Sequence, residues 1–191
     1  MPKTDVHFSR NSMTPKTQAA HLRASVAKAA SAFHADCITK FPGESPYGLI
    51  LYSDNDGQTC GFIARTEEEF QRQELESPGT AERWDMAAWE MRDYGRNAAQ
   101  TSLNMLWMTQ SDAVSKTSRR RILGLVFEAF VEGLQDFLES GVAEMNGQTG
   151  RLVIFVAIGD PDENLAPKLN AWARRLNPDA TDLWFHRVGN S

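Results

Sequence analysis

The sequence predicts an α+β domain: a small mixed or antiparallel sheet, made of a hairpin plus C-terminal strands, flanked by several helices. Three observations carry this reading. YGLILYSDNDGQTCGFIA sets two apolar segments around Asp54-Asn55-Asp56-Gly57, and Asp-Gly marks a tight hairpin turn. RRRILGLVFEAFVEGLQDFLESG repeats Ile122, Val126, Phe130, Leu134 and Phe137 along one side at helical spacing. RLVIFVAIG is a short, branched, continuous apolar run ending at a glycine, the pattern of a strand buried on both faces.

The remaining elements follow in chain order. Residues 1–13 are polar and aperiodic and are expected to form a mobile arm before one domain spanning 14–191. Thr14 is placed to cap a helix whose first residue is Pro15, where the missing N–H costs nothing. Leu22, Val26, Ala30, Phe33, Cys37 and Phe41 make its apolar stripe, and Pro42-Gly43 ends it. After the hairpin, Thr66 caps a second helix, with Glu69 expected to reach back and complete a capping box. The stretch from Trp84 to Met108 is helical in character, with a weak point at Gly95, and Ser111 to Ser118 reads as a linker. In the long helix that follows, Gly124, Glu128, Glu132, Gln135 and Glu139 form the wet face, and Gly141 suits its end. Asp160 is expected to cap the last helix, which turns Leu165, Leu169, Trp172 and Leu176 inward and stops at Asn177-Pro178. LWFHRV would be a closing strand.

Composition narrows the functions. The chain has 191 residues, 41% hydrophobic and 24% charged, with a net charge of −5. That range is globular, and the acidic balance disfavours binding to nucleic acid through phosphates. There is no signal-peptide core and no apolar run near the roughly 20 residues that span a bilayer, so the expected location is cytoplasmic, away from membranes. Cys37 and Cys60 have no metal-site or redox spacing and read as buried free thiols, with a disulfide between them left open.

RWDMAAWEM raises a separate question. In a continuous helix Trp84 and Trp89 would lie about 140° apart, leaving Trp89 among polar residues as an exposed contact for a partner. If instead Asp85 is the N-cap, Trp84 and Trp89 occupy the two positions of a hydrophobic staple, which is the more economical reading. The ordered set LILYSDNDG, TEEEF, RWDMAAWEM, LVIFVAIGD and RRLNP resembles a bacterial domain-of-unknown-function family, forty-three-oh-three, over about residues 15–180. The resemblance implies a compact α+β domain, sometimes considered alongside toxin-neutralising immunity proteins, and no known reaction. Asp85-Met86 stands where that family commonly has a Ser-Pro helix start.

Chemistry is sparse. Asp54 and Asp56 lack the third oxygen ligand and distal glutamate of a calcium loop, so a turn explains them. Asp160 and Asp162 follow a strand, where a cap again suffices; only if the two Asp-x-Asp pairs met would Asp54, Asp56, Asp160 and Asp162 make a hard-metal site. His7, His21, His34 and His186 are dispersed, and neither HExxH nor GxSxG occurs. Arg119, Arg120 and Arg121 stand at a helix start, where the dipole disfavours cations; they read as solvated charges or as contacts for an acidic partner. No cofactor is expected. The preferred reading is a non-enzymatic protein-interaction domain, an immunity-type inhibitor of a basic toxin among the options. The alternatives are a small metal-dependent enzyme using the four aspartates, and an adaptor that forms homo-oligomers through Trp107 or Trp184.

Overall fold

The computed structural model describes residues 14–44, 46–79, 89–93, 97–108, 116–148, 151–161 and 163–179. The described elements, in order, are α1 (Pro15–Lys40), β1 (Pro46–Ser53), β2 (Cys60–Thr66), α2 (Glu67–Glu76), β3 (Met91–Asp93), α3 (Ala98–Met108), α4 (Lys116–Glu139), α5 (Val142–Met145), β4 (Val153–Ile158) and α6 (Ala166–Leu176). The architecture is α+β, with a mixed sheet in the order β3-β2-β1-β4.

The hairpin forms as its turn chemistry requires. β1 and β2 pair antiparallel from Ser53↔Cys60 to Pro46↔Thr66, around Gly57 in the left-handed region at φ 61°. Gly57 also lies against α4, where an added Cβ would meet Leu123 Cδ1 at 2.7 Å. Trp107 of α3 donates its Nε1–H to the Gly57 carbonyl at 2.6 Å, so the turn is held by two helices. β4 runs parallel to β1, with Ile154 opposite Leu49 and Ile158 opposite Ser53. The parallel component therefore arises from β1 and β4; the expected closing strand LWFHRV lies outside the described residues.

One face of the sheet is covered by helices. Leu49, Leu51, Phe62, Ala64, Ile154 and Val156 share a core with Leu22, Val26 and Phe33 of α1, Leu103 of α3 and Phe127, Phe130 and Leu134 of α4. Alternate strand residues point the other way, where Ile50, Ile63, Phe155 and Ala157 gather around Trp89 and Ala173. The widest helix contact is α1 on α4. It closes at Gly133, where a Cβ would lie 2.6 Å from both the Arg23 carbonyl oxygen and Val26 Cβ. Beside that contact, Arg23 reaches across to Asp136 at 2.6 Å and Glu132 at 3.1 Å.

Asn177 finishes the outer edge of β4. In a strand, one residue's N–H and C=O point to the same side, and those of Ile154 point away from β1. The Asn177 side chain accepts from Ile154 N–H at 3.0 Å and donates to Ile154 C=O at 2.6 Å and to Ala173 C=O at 2.9 Å. One buried amide thus substitutes for a neighbouring strand. This role was not foreseen in the LNP motif, which reads from sequence as a helix stop.

Three expectations need correction. Residues 91–93 are a strand paired with Phe62–Ala64, and helix α3 begins only at Ala98, so the region from Trp84 to Met108 is not one helix. Residues 116–118, read as linker, belong to α4. Asp160 does not cap α6: that helix starts at Ala166 after Leu165, with Pro167 in its first turn, while Asp160 sits in the left-handed region at φ 47°. A proline that pre-sets helical φ fixes the start six residues later than the acids suggest.

Candidate functional site

A polar cluster joins β2, α2 and the residues leading into β3. Thr66 caps α2 as expected, its hydroxyl oxygen accepting from Glu69 N–H at 3.0 Å. The Thr66 hydroxyl in turn donates to Glu44 at 2.6 Å, and Glu44 pairs with Arg72 at 2.8 Å. The other half of the expected capping box is absent. Glu69 instead turns inward, accepting the Glu90 N–H at 3.1 Å and lying 3.5 Å from Arg65 Nε. Arg65 is fully buried; it donates to Gln73 and lies over the Phe70 ring, 5.1 Å from its centroid. A charge this deep is tolerated because a carboxylate, an amide oxygen and a ring face surround it.

Burial pushes the Glu69 carboxyl above the usual carboxylate range, opposed by the Glu90 N–H and the Arg65 charge, which hold it down. The folded chain therefore holds this proton more tightly than the unfolded one. That contribution is present in acid and is lost as pH rises through the folded value. Raising pH from about 4 is expected to cost the wild type stability relative to Glu69→Gln. Denaturant midpoints of both proteins across that range check this, and parallel curves would rule it out.

Next to this cluster a cleft of about 510 Å³ opens between α1 and the β3 segment. Its helix wall carries Lys28, Ala32, Asp36 and Lys40, and its far wall carries Glu90, Arg92 and Asp93, closed at one end by Asn97. Between them the floor is apolar, from Ala29, Phe33, Cys37 and Phe41. Ser25 of α1 bonds Ser102 of α3 at 2.7 Å, which sets the spacing of α3 from α1 beyond that end. Cys37 offers little reactivity here: it is 3% exposed and burial pushes its thiol up to about 12. Cys60 is also free, buried and pushed up to about 12.

The residues singled out in the sequence do not converge. Thr14 caps α1 by accepting from Thr17 N–H at 3.3 Å. Asp85, Trp84 and Asp162 lie outside the described residues. Trp89 is completely buried and precedes a strand, so it is neither an exposed contact nor the fourth residue of a helix. Its indole packs edge-on to Tyr47, with centroids 6.0 Å apart, on the second face of the sheet. Arg119, Arg120 and Arg121 are exposed in the first turns of α4, and Arg119 lies 3.3 Å from Asp56.

Asp54 directs both oxygens into its own turn, accepting from Gln58 N–H at 2.7 Å and the Thr59 hydroxyl at 2.9 Å. Since Ser53 pairs with Ile158, Asp54 and Asp160 follow neighbouring strand ends, yet no group of three metal-ligating side chains forms among the described residues. His34 belongs to the core. Gln148 donates to the Pro46 carbonyl at 2.9 Å, which orients its amide oxygen toward His34 Nε2 at 2.8 Å, so that nitrogen carries the proton.

The cleft was not visible in the sequence, because its walls come from segments some fifty residues apart. No helix among the described residues is long and apolar enough to cross a membrane. No curated protein and no solved structure matches the chain. A family model described as Domain of unknown function (DUF4303) matches residues 26–178, a span running from the middle of α1 past the Asn177 clamp. The chain belongs to that family.

Proposed function

We propose that the chain is a non-catalytic protein-binding domain whose acidic surface draws in a basic partner, as an immunity-type protein does when it occludes a toxin. The observation that carries this reading is the commitment of Asp54, Glu69 and both cysteines to structure. Asp54 is engaged by its turn, Glu69 by Glu90 and Arg65, and both thiols are buried and protonated at neutral pH. The described residues also form a cleft with an apolar floor and a charged rim, the anatomy of a protein interface.

A net charge of −5 speeds capture of a basic partner through long-range attraction. Affinity capture from the native host with mass spectrometry identifies the partner, and stopped-flow mixing then gives its association rate. The rate is expected to fall steeply as salt is raised from low to physiological strength. A partner that is not basic, or a rate independent of salt, would refute the electrostatic reading.

A further inference from the structure

We propose that the cleft between α1 and β3 is a docking groove for an extended segment of a protein partner, with one apolar side chain flanked by residues of opposite charge. This rests on the protein-binding reading above and assigns it a surface and a ligand class. The volume, about 510 Å³, falls within the range of concave sites that hold a ligand. Phe33 and Phe41 in the floor supply the apolar seat.

The charge pattern selects the flanks. Lys28, Asp36 and Lys40 run along one stripe of α1, and among the described residues none of the three is engaged in a hydrogen bond or ion pair. Glu90, Arg92 and Asp93 on the opposite wall also carry both signs. A segment of a single charge would meet repulsion from both walls, whereas one carrying a cation and a carboxylate finds a counter-charge for each. The stripe favours an extended occupant: Lys28 to Lys40 spans about 18 Å of helix, a length that roughly six residues of extended chain follow.

A displayed library of short random peptides, selected on the full chain, tests the groove. Ala32 is exposed and lines the cleft, so Ala32→Arg fills it without entering the core. Selected peptides are expected to carry an apolar residue between a basic and an acidic one, and to bind Ala32→Arg about tenfold or more weakly. Lys40→Glu, also at an exposed position, is expected to shift the selected flank from acidic to basic. Absence of selected peptides, binding undiminished by Ala32→Arg, or an unchanged flank in Lys40→Glu would overturn the proposal. The wider reading fails separately. A host partner that binds Ala32→Arg as tightly as wild type removes the groove alone, whereas a wild type that captures no protein removes both.

Discussion

Gly133→Val is expected to cost about 3 kcal/mol, the upper range for forcing volume into a packed core. The reason lies in the α1–α4 contact, where even a methyl group would stand 2.6 Å from the Arg23 carbonyl oxygen. A backbone oxygen in the middle of a long helix cannot move aside as a side-chain tip can. Gly133→Ala decides between two opposing effects. Helix propensity favours alanine by about 1 kcal/mol, and the clash opposes it by about 1–3 kcal/mol. The clash wins because its partners are backbone and a β-branched carbon. Gly124, nine residues earlier on α4, provides the control, because nothing lies within 4 Å of its added Cβ. Gly124→Ala is expected to stabilise by about 0.5–1 kcal/mol. Urea unfolding of the two alanine variants should give shifts of opposite sign, and equal shifts would refute the close helix crossing.

Asn177→Leu is expected to cost about 3 kcal/mol and to lower the melting temperature by roughly 10 °C. Leucine keeps the branched shape but leaves the N–H and C=O of Ile154 facing a buried edge without the amide that now satisfies both. The Ala173 carbonyl still receives the Asn177 backbone N–H at 3.0 Å, so the penalty falls on the sheet. Asn177→Asp separates donor from acceptor: its carboxylate can still accept from Ile154 N–H but cannot donate to the carbonyls. Calorimetry should place it below wild type, and its Ile154 amide should remain the better protected of the two variants in hydrogen exchange. Wild-type stability in Asn177→Leu would mean that water or another group serves the strand edge.

The parts of this fold that sequence reveals are those fixed by near neighbours. Thr14-Pro15, Thr66 and Asp56-Gly57 each act through groups within a few residues, and α1, α2 and the hairpin begin or turn where those signals stand. The apolar period of α4 and the continuous apolar run of β4 likewise survive because burial reinforces them. Most failures occur where distant contacts decide. Glu69 abandons its local capping partner for the Glu90 N–H, a residue brought near only by β3 pairing with β2. Trp89 belongs to a strand approach too short to show a period of two. Asp160 looks like a cap, but Pro167 sets the helix start, a local signal that outweighs the acids. The cleft is the extreme case, since no spacing within α1 announces that Glu90, Arg92, Asp93, Asn97 and Ala98 stand opposite it.

The proposed non-catalytic reading requires that the acids of the β1–β2 turn serve the fold and are not held for chemistry. Asp54 offers its most direct test, as the acid that would anchor any metal site at the strand ends. The measurement is the melting temperature of Asp54→Ala beside Asp56→Ala, with and without added magnesium. Loss of two carboxylate hydrogen bonds is expected to destabilise Asp54→Ala by about 1–2 kcal/mol, with no response to the metal. Asp56, whose contact with Arg119 is solvent-exposed, should change by less than about 0.5 kcal/mol. A rise in melting temperature on removing Asp54, together with a wild type stabilised by magnesium, would reveal an acid strained for function and overturn the account.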